Sequence, residues 1–141
     1  MATPAALRRL LLGTLLIGLT GTAIELLLLK HYDAPIQLVP LVSIALGLTT
    51  IGWHLVWRSR ASVRAVQGVM ILFLVSGVAG VVFHFRANLQ YQREFDATLH
   101  GRALVWQALR AKVPPALAPG VMVQLGLIGL AYTCCRRSEP T

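Results

Sequence analysis

The 141-residue chain is 56% hydrophobic and only 13% charged, about half of the roughly 25% charged share of an ordinary soluble domain. A soluble domain of this size cannot hide so much apolar surface. The composition also excludes intrinsic disorder, a collagen-like repeat and, with two cysteines, a disulfide scaffold. A net charge of +8 indicates nucleic-acid binding in a soluble protein. The positions of the basic residues along the chain decide whether that interpretation applies here.

Four apolar runs follow one another along the chain, at 10–29, 38–57, 65–85 and 117–133. A helix needs about 20 apolar residues, within a range of about 17–25, to cross a bilayer core about 30 Å thick. Backbone groups find no partners in lipid, so each run is predicted to be helical. The sequence predicts an all-α polytopic membrane protein, a single integral membrane domain over 1–141, with four transmembrane helices in an up-down bundle.

Two alternatives to this interpretation are disfavoured by the first run. A core helix of a soluble bundle needs a polar face, and the stretch from Leu10 to Leu29 has almost none. A cleaved secretory signal would fit Arg8 and Arg9 followed by an apolar stretch. However, the apolar character continues from Ile24 to Leu29, which is too long for such a signal.

Lysine and arginine near the ends of the runs predict the orientation. One side carries seven of them in short segments close to the membrane: Arg8, Arg9, Arg58, Arg60, Arg64, Arg136 and Arg137. The other carries six, mostly spread through a long loop: Lys30, Arg86, Arg93, Arg102, Arg110 and Lys112. The denser side is predicted to be cytoplasmic, with both termini there, in a plasma or inner membrane. Basic residues along both membrane edges account for the net positive charge, so a nucleic-acid partner is not needed to explain it.

The long outer segment 86–116 is predicted to be partly helical, because an unstructured loop of this length is unusual. The third helix is expected to continue outward with one face formed by His84, Asn88, Tyr91 and Phe95. Thr98 then caps a short amphipathic helix, whose apolar face is Leu99, Ala103, Trp106, Leu109 and Val113. That face suits either the membrane surface or a lid over the bundle.

Polar residues in or beside the apolar helices are the candidates for function, because they are costly in lipid. Five of them fall near the predicted outer boundary: Glu25, His31, Gln37, His84 and Asn88. One interpretation is a structural hydrogen-bond network that ties helix ends together. A second is a proton or ligand site. A third is a metal site formed by Glu25, His31 and His84, or haem ligated by the two histidines.

Two further polar residues lie away from this boundary. His54 lies near the inner end of the second run beside Trp53 and Trp57, an aromatic anchor typical of the membrane interface. Gln124 lies mid-depth in the fourth run, where an interhelical hydrogen bond is the expected role. Both are predicted to be polar residues of helix packing.

Glycines predict where the helices approach each other closely. Three of them precede an ionisable residue by seven positions, as in Gly18–Glu25, Gly47–His54 and Gly77–His84. Two helical turns nearly return to the same face, so these positions indicate helix-packing seams.

The sequence contains no nucleophile motif, phosphate loop or nucleotide fingerprint, and it requires no cofactor. The leading hypothesis is a non-enzymatic subunit or accessory protein of a membrane assembly, whose partners are the lipid bilayer and other subunits or further copies of itself. The alternatives are a proton-linked transporter or binding protein that uses Glu25, and a metal- or haem-binding membrane protein.

Overall fold

A computed structural model describes residues 3–112 and 114–134, and this part of the chain contains helices and no strands. The five α-helices are α1 Pro4–Leu28, α2 Leu38–Val56, α3 Arg60–Phe95, α4 Gly101–Leu109 and α5 Gly120–Cys134, with a short 3₁₀ turn Pro35–Gln37 before α2. The predictions that involve Val113, Arg136 and Arg137 lie outside the described residues.

Three helical segments are long and apolar enough to cross a membrane: Pro4–Leu28, Pro35–Val56 and Arg60–Phe95. The prediction of an all-helical fold is therefore confirmed, and the three long apolar helices support a membrane bundle. The fourth apolar run forms only the 15-residue α5, about 22 Å long at a rise of about 1.5 Å per residue. Residues 114–119 form turns rather than an extension of α5, so the fourth span stays a prediction.

Local chemistry sets several helix boundaries. The Thr3 hydroxyl accepts a hydrogen bond from Ala6 N at 3.2 Å, and Pro4 occupies the first helical position, where its missing N–H costs nothing. After α1, Lys30 adopts a left-handed conformation with φ 52°, which ends the helix. At the start of α3 the Ser59 hydroxyl accepts from Ser62 N at 3.1 Å.

The chain divides into two compact units, one formed by residues 1–76 and 122–141 and the other by 77–121. The first, unit 1, contains α1, α2, the beginning of α3 and most of α5. Its core is apolar, with fully or almost fully buried Leu15, Leu19, Ile44, Ile51, Val66, Met70, Phe73, Met122 and Leu125. Burial of a side chain of this size stabilises a soluble fold by about 1.5–3 kcal/mol, whereas in lipid close packing replaces that driving force.

Glycines permit the close packing in unit 1. A Cβ at Gly47 would lie 3.4 Å from the Phe73 ring, and one at Gly18 would overlap the Leu125 side chain. A Cβ at Gly126 would lie 2.8 Å from the carbonyl oxygen of Met70. The predicted close approaches at Gly18 and Gly47 are therefore confirmed.

The second unit, unit 2, contains the later part of α3, α4 and the turns that precede α5. The continuation of α3 beyond residue 85 to Phe95 is confirmed. α4 begins at Gly101 rather than directly after Thr98, so the predicted cap is wrong. The Thr98 hydroxyl and backbone N–H instead donate to Asp96 Oδ1 at 2.6 and 2.9 Å, a local turn that competes with capping.

The buried side of α4 is formed by residues outside the predicted apolar face. Leu104 and Ala108 are 4% and 0% exposed, whereas Trp106 and Leu109 are 60% and 41% exposed. Trp106 and Leu109 therefore do not form a lid packed on unit 2, and the membrane-surface alternative for the predicted apolar face stays a prediction. The Asn88 amide nitrogen donates to the Ala108 carbonyl oxygen at 3.2 Å, a tertiary contact that the pattern of apolar residues does not reveal.

Candidate functional site

Two of the five predicted boundary residues hold the turns of unit 2 in place. His84 Nδ1 lies 3.0 Å from the carbonyl oxygen of Pro115. The Asn88 amide nitrogen donates to the carbonyl oxygens of Ala108 at 3.2 Å and Pro114 at 2.9 Å, and Asn88 is buried. A carbonyl only accepts, so the His84 Nδ1 must carry a proton. Both side chains tie α3 to backbone that follows it in the chain.

The other three boundary residues belong to unit 1. Glu25 is exposed on α1, and His31 is half-buried after the end of that helix. Gln37 is half-buried, and its side-chain oxygen accepts from Ala34 N at 3.0 Å in the turn before α2. The five residues are thus divided between the two units.

No group of three or more His, Cys, Asp or Glu side chains suited to a metal ion occurs within residues 3–112 and 114–134. This geometry does not support a metal site formed by Glu25, His31 and His84, and that site stays a hypothesis.

A buried polar cluster lies at the junction of α2 and α3 in unit 1. His54 is 2% exposed and its Nδ1 lies 2.9 Å from the Ser62 hydroxyl oxygen, which is fully buried. The same hydroxyl oxygen lies 2.7 Å from the carbonyl oxygen of Trp57 and 2.9 Å from that of Ser59. We call this group, together with Tyr132, the His54 cluster.

The hydrogen-bond geometry of the His54 cluster fixes the roles of its groups. The two carbonyl oxygens beside Ser62 can only accept, so the single hydroxyl proton goes to one of them. His54 Nδ1 must then be protonated and donate to the Ser62 oxygen. A catalytic serine needs the opposite arrangement, in which the imidazole takes the hydroxyl proton. The pair is therefore arranged to hold the α2–α3 junction rather than to activate a nucleophile.

α5 and α1 complete this end of unit 1. The Tyr132 ring meets His54 edge to face, with centroids 6.0 Å apart at 80°. The Arg8 guanidinium lies 5.7 Å from the centroid of the Tyr132 ring, within cation–π range. Residues of α2, α3 and α5 thus meet in the His54 cluster, and Arg8 of α1 contacts its Tyr132 ring. The sequence predicted His54 as a packing residue but gave no signal for its partners, because Ser62 lies beyond a turn and Tyr132 comes from a distant helix.

A smaller polar contact lies beside this cluster. Gln67 on α3 donates to the Thr133 hydroxyl on α5 at 3.3 Å, and that hydroxyl donates to the carbonyl of Leu130 at 2.8 Å. Thr133 is almost completely buried. An interhelical side-chain bond of this kind is expected in membrane bundles.

Gln124 lies on the exposed side of α5. Leu125 packs at Gly18, and a Cβ at Gly129 would lie 3.4 Å from Leu15, so α1 and α5 run antiparallel. Gln124 is therefore level with the middle of the apolar run 10–29. Its amide makes no hydrogen bond with any residue that the structure describes, and the predicted interhelical bond is absent there.

Outside the candidate spans, Asp96 carries a shifted pKa. The hydroxyl of Thr98, and next its backbone N–H, hold the pKa of Asp96 below its ordinary value of 3.8. These donors stabilise the ionised carboxylate. Both donors belong to Thr98, two residues along the chain, so the shift marks a local turn rather than a catalytic group.

Comparison with protein-family models, with curated proteins and with solved structures finds no match.

Proposed function

We propose that this chain is a non-enzymatic subunit of a membrane assembly, in a plasma or inner membrane with both termini cytoplasmic. The observation that carries the proposal is the exposed Gln124 amide, level with the middle of an apolar membrane run. A primary amide without a hydrogen-bond partner is costly in hydrocarbon. An interhelical hydrogen bond to a neighbouring subunit removes that cost.

The partner proposed is a second copy of this chain. A glutamine amide has both a donor and an acceptor, so two copies related by a two-fold axis complement each other at the same position. Leu127 and Ala131 lie three and seven positions after Gln124 and are exposed on the same side of α5, which leaves an apolar flank for the contact. Hydrogen bonds between membrane helices contribute about 0.6 kcal/mol on average and about 1.7 at most.

The other polar groups support a structural role. The His54–Ser62 pair, His84 and Asn88 each bond to backbone or to a neighbouring hydroxyl. These bonds position helix ends and turns. They match the hypothesis of a hydrogen-bond network more closely than that of a reaction centre.

Glu25 supports a second candidate function, a proton-linked transporter or binding protein. Its carboxylate is exposed on a helix long and apolar enough to span a membrane, so it is accessible to a ligand or a proton. Replacing Glu25 with Gln should then abolish pH-dependent ligand binding. An unchanged binding curve would reject this role and leave the subunit proposal untouched.

Cysteine crosslinking in native membranes tests the proposed interface. Native cysteines are first replaced with serine, and Leu127→Cys is introduced beside Gln124. The matched control is Val75→Cys, on an exposed part of α3 in the same unit. A disulfide-linked dimer is expected for Leu127→Cys and not for Val75→Cys. Equal crosslinking of the two variants, or none of either, would contradict the proposed surface.

A further inference from the structure

The orientation of α4 within unit 2 leaves one of its sides uncovered. Leu104 and Ala108 are buried, and the Asn88 amide holds the Ala108 carbonyl at 3.2 Å. Residues in an α-helix are about 100° apart around the axis, because a turn contains about 3.6 residues. The buried side therefore covers a narrow sector between the directions of Leu104 and Ala108, about 40° apart.

The opposite side of α4 combines exposed apolar and basic residues. We call it the α4 surface; its members are Arg102, Val105, Trp106, Leu109 and Arg110. By the same helical geometry these five lie within about 140° of one another. Trp106 is 60% exposed, and the Arg110 guanidinium lies 5.9 Å from the centroid of its ring. A tryptophan flanked by arginines is the composition typical of interfacial helices.

The charged residues of α4 and of the stretch 97–112 are all basic. From residue 97 to residue 112 the chain contains Arg102, Arg110 and Lys112 and no aspartate or glutamate. A surface of this kind attracts an anionic partner, and exposed indole and aliphatic side chains favour a partner with a hydrocarbon layer below its charges. An anionic phospholipid bilayer has both properties.

The position of α4 along α3 fits a bilayer surface. Asn88, which holds the end of α4, lies three residues beyond Phe85, where the third apolar run ends. Three residues correspond to about 4.5 Å along a helix. The end of α4 therefore lies at the height where the hydrocarbon core gives way to lipid headgroups.

We propose that the α4 surface binds anionic phospholipid headgroups, with Trp106, Val105 and Leu109 in the interface and Arg102 and Arg110 on the phosphates. The helix thereby anchors unit 2 to the membrane. The proposal does not depend on the Gln124 contact, because none of its residues lies in unit 1.

Fluorescence quenching of the full chain in lipid vesicles tests this proposal. Trp53 and Trp57 are replaced with phenylalanine, which leaves Trp106 as the only tryptophan. The vesicles contain brominated phosphatidylcholine or brominated phosphatidylglycerol, mixed with the matching unbrominated lipids. Quenching of Trp106 by both brominated lipids is expected, with a higher relative association constant for the anionic one.

Charge variants then test whether the arginines of the α4 surface contribute more to lipid binding than a basic residue elsewhere on unit 2. Arg102→Gln and Arg110→Gln should each lower the preference for the anionic lipid about fivefold, the equivalent of about 1 kcal/mol per charge. Arg93→Gln is the matched control, because Arg93 is exposed on α3 about 12 Å beyond residue 85 along the helix. It should change the preference less than twofold.

Two results would overturn the proposal. One is a Trp106 signal quenched by aqueous iodide and not by brominated lipid, which would favour a soluble acidic protein as the occupant. The other is an equal effect of Arg93→Gln and the two α4 variants. A second reporter guards against misfolding: Trp106→Phe with Gln107→Trp moves the indole about 100° around the helix and should weaken lipid quenching.

Discussion

Replacement of Gly126 with alanine should destabilise unit 1 through one defined clash. The added Cβ would lie 2.8 Å from the carbonyl oxygen of Met70 and 2.9 Å from Leu74 Cδ2. The leucine can rotate away, but the carbonyl belongs to the backbone of α3, so α5 must move by several tenths of an ångström. Overpacking of this kind costs about 1–3 kcal/mol.

Gly21→Ala supplies the matched control. No atom lies within 4 Å of a Cβ at Gly21, which is on the exposed side of α1. Alanine is favoured over glycine within a helix by about 0.5–1 kcal/mol, and this gain is common to both variants. The difference in unfolding free energy between Gly21→Ala and Gly126→Ala therefore isolates the clash, at about 1–3 kcal/mol.

Unfolding by sodium dodecyl sulfate in mixed micelles, followed by tryptophan fluorescence, measures this difference. Gly126→Ala should unfold at a lower detergent fraction than the wild-type chain, and Gly21→Ala at an equal or higher fraction. Equal stability of the two alanine variants would mean that α5 does not approach α3 as closely as the structure shows, and would contradict the prediction.

Three further changes test the polar contacts. Ser62→Ala removes the acceptor of His54 Nδ1 and should lower the unfolding free energy by about 1–3 kcal/mol in the same detergent titration. Asn88→Leu leaves two backbone carbonyls without their donor, so hydrogen exchange should accelerate in α4 and in residues 114–119. Thr98→Val removes the main donor to Asp96, so the carboxyl pKa should rise toward 3.8 in a carbon-13 NMR titration.

Two of these predictions have a control variant, and the third has a defined direction of pH dependence. Ser76→Ala should cost less than Ser62→Ala, because the Ser76 hydroxyl bonds only to Phe73 within its own helix. Gln90→Leu removes an exposed amide of α3 and should leave exchange in residues 114–119 unchanged. For Asp96 the pKa is depressed by folding, so its contribution is present above pH 3.8 and is lost as the pH falls through the folded-state pKa. An unshifted pKa in Thr98→Val would contradict the turn.

The apolar runs predicted the first three long helices well, because lipid leaves a 20-residue apolar segment little choice but a helix. The helix boundaries differ from those of the apolar runs where a helix continues beyond its apolar segment. α3 continues to Phe95, ten residues beyond the apolar run, since polarity ends the lipid contact but not the backbone hydrogen bonding. Likewise, α1 begins at Pro4, where Thr3 caps it.

The polar contacts could be predicted only in part. Asn88 and His84 were identified from their position, but their partners at residues 108, 114 and 115 depend on how the chain returns along α3. The sequence could not predict that Gln124 lies on the exposed side of α5. The helix is apolar on nearly every side, so its pattern does not indicate which side is buried. The pattern likewise left open whether the apolar face of α4 packs on the protein or faces the membrane surface.

Association of the chain in vesicles directly tests the proposed dimer contact through Gln124. Donor- and acceptor-labelled copies are reconstituted over a range of protein-to-lipid ratios, and energy transfer gives the dimerisation constant of the wild type, Gln124→Leu and Gln124→Asn. We expect a wild-type dimer and, in Gln124→Leu, a dimerisation constant about 3- to 20-fold lower, the equivalent of about 0.6–1.7 kcal/mol. Gln124→Asn should retain part of the association. A monomeric wild type, or equal constants for the wild type and Gln124→Leu, would contradict the proposed contact.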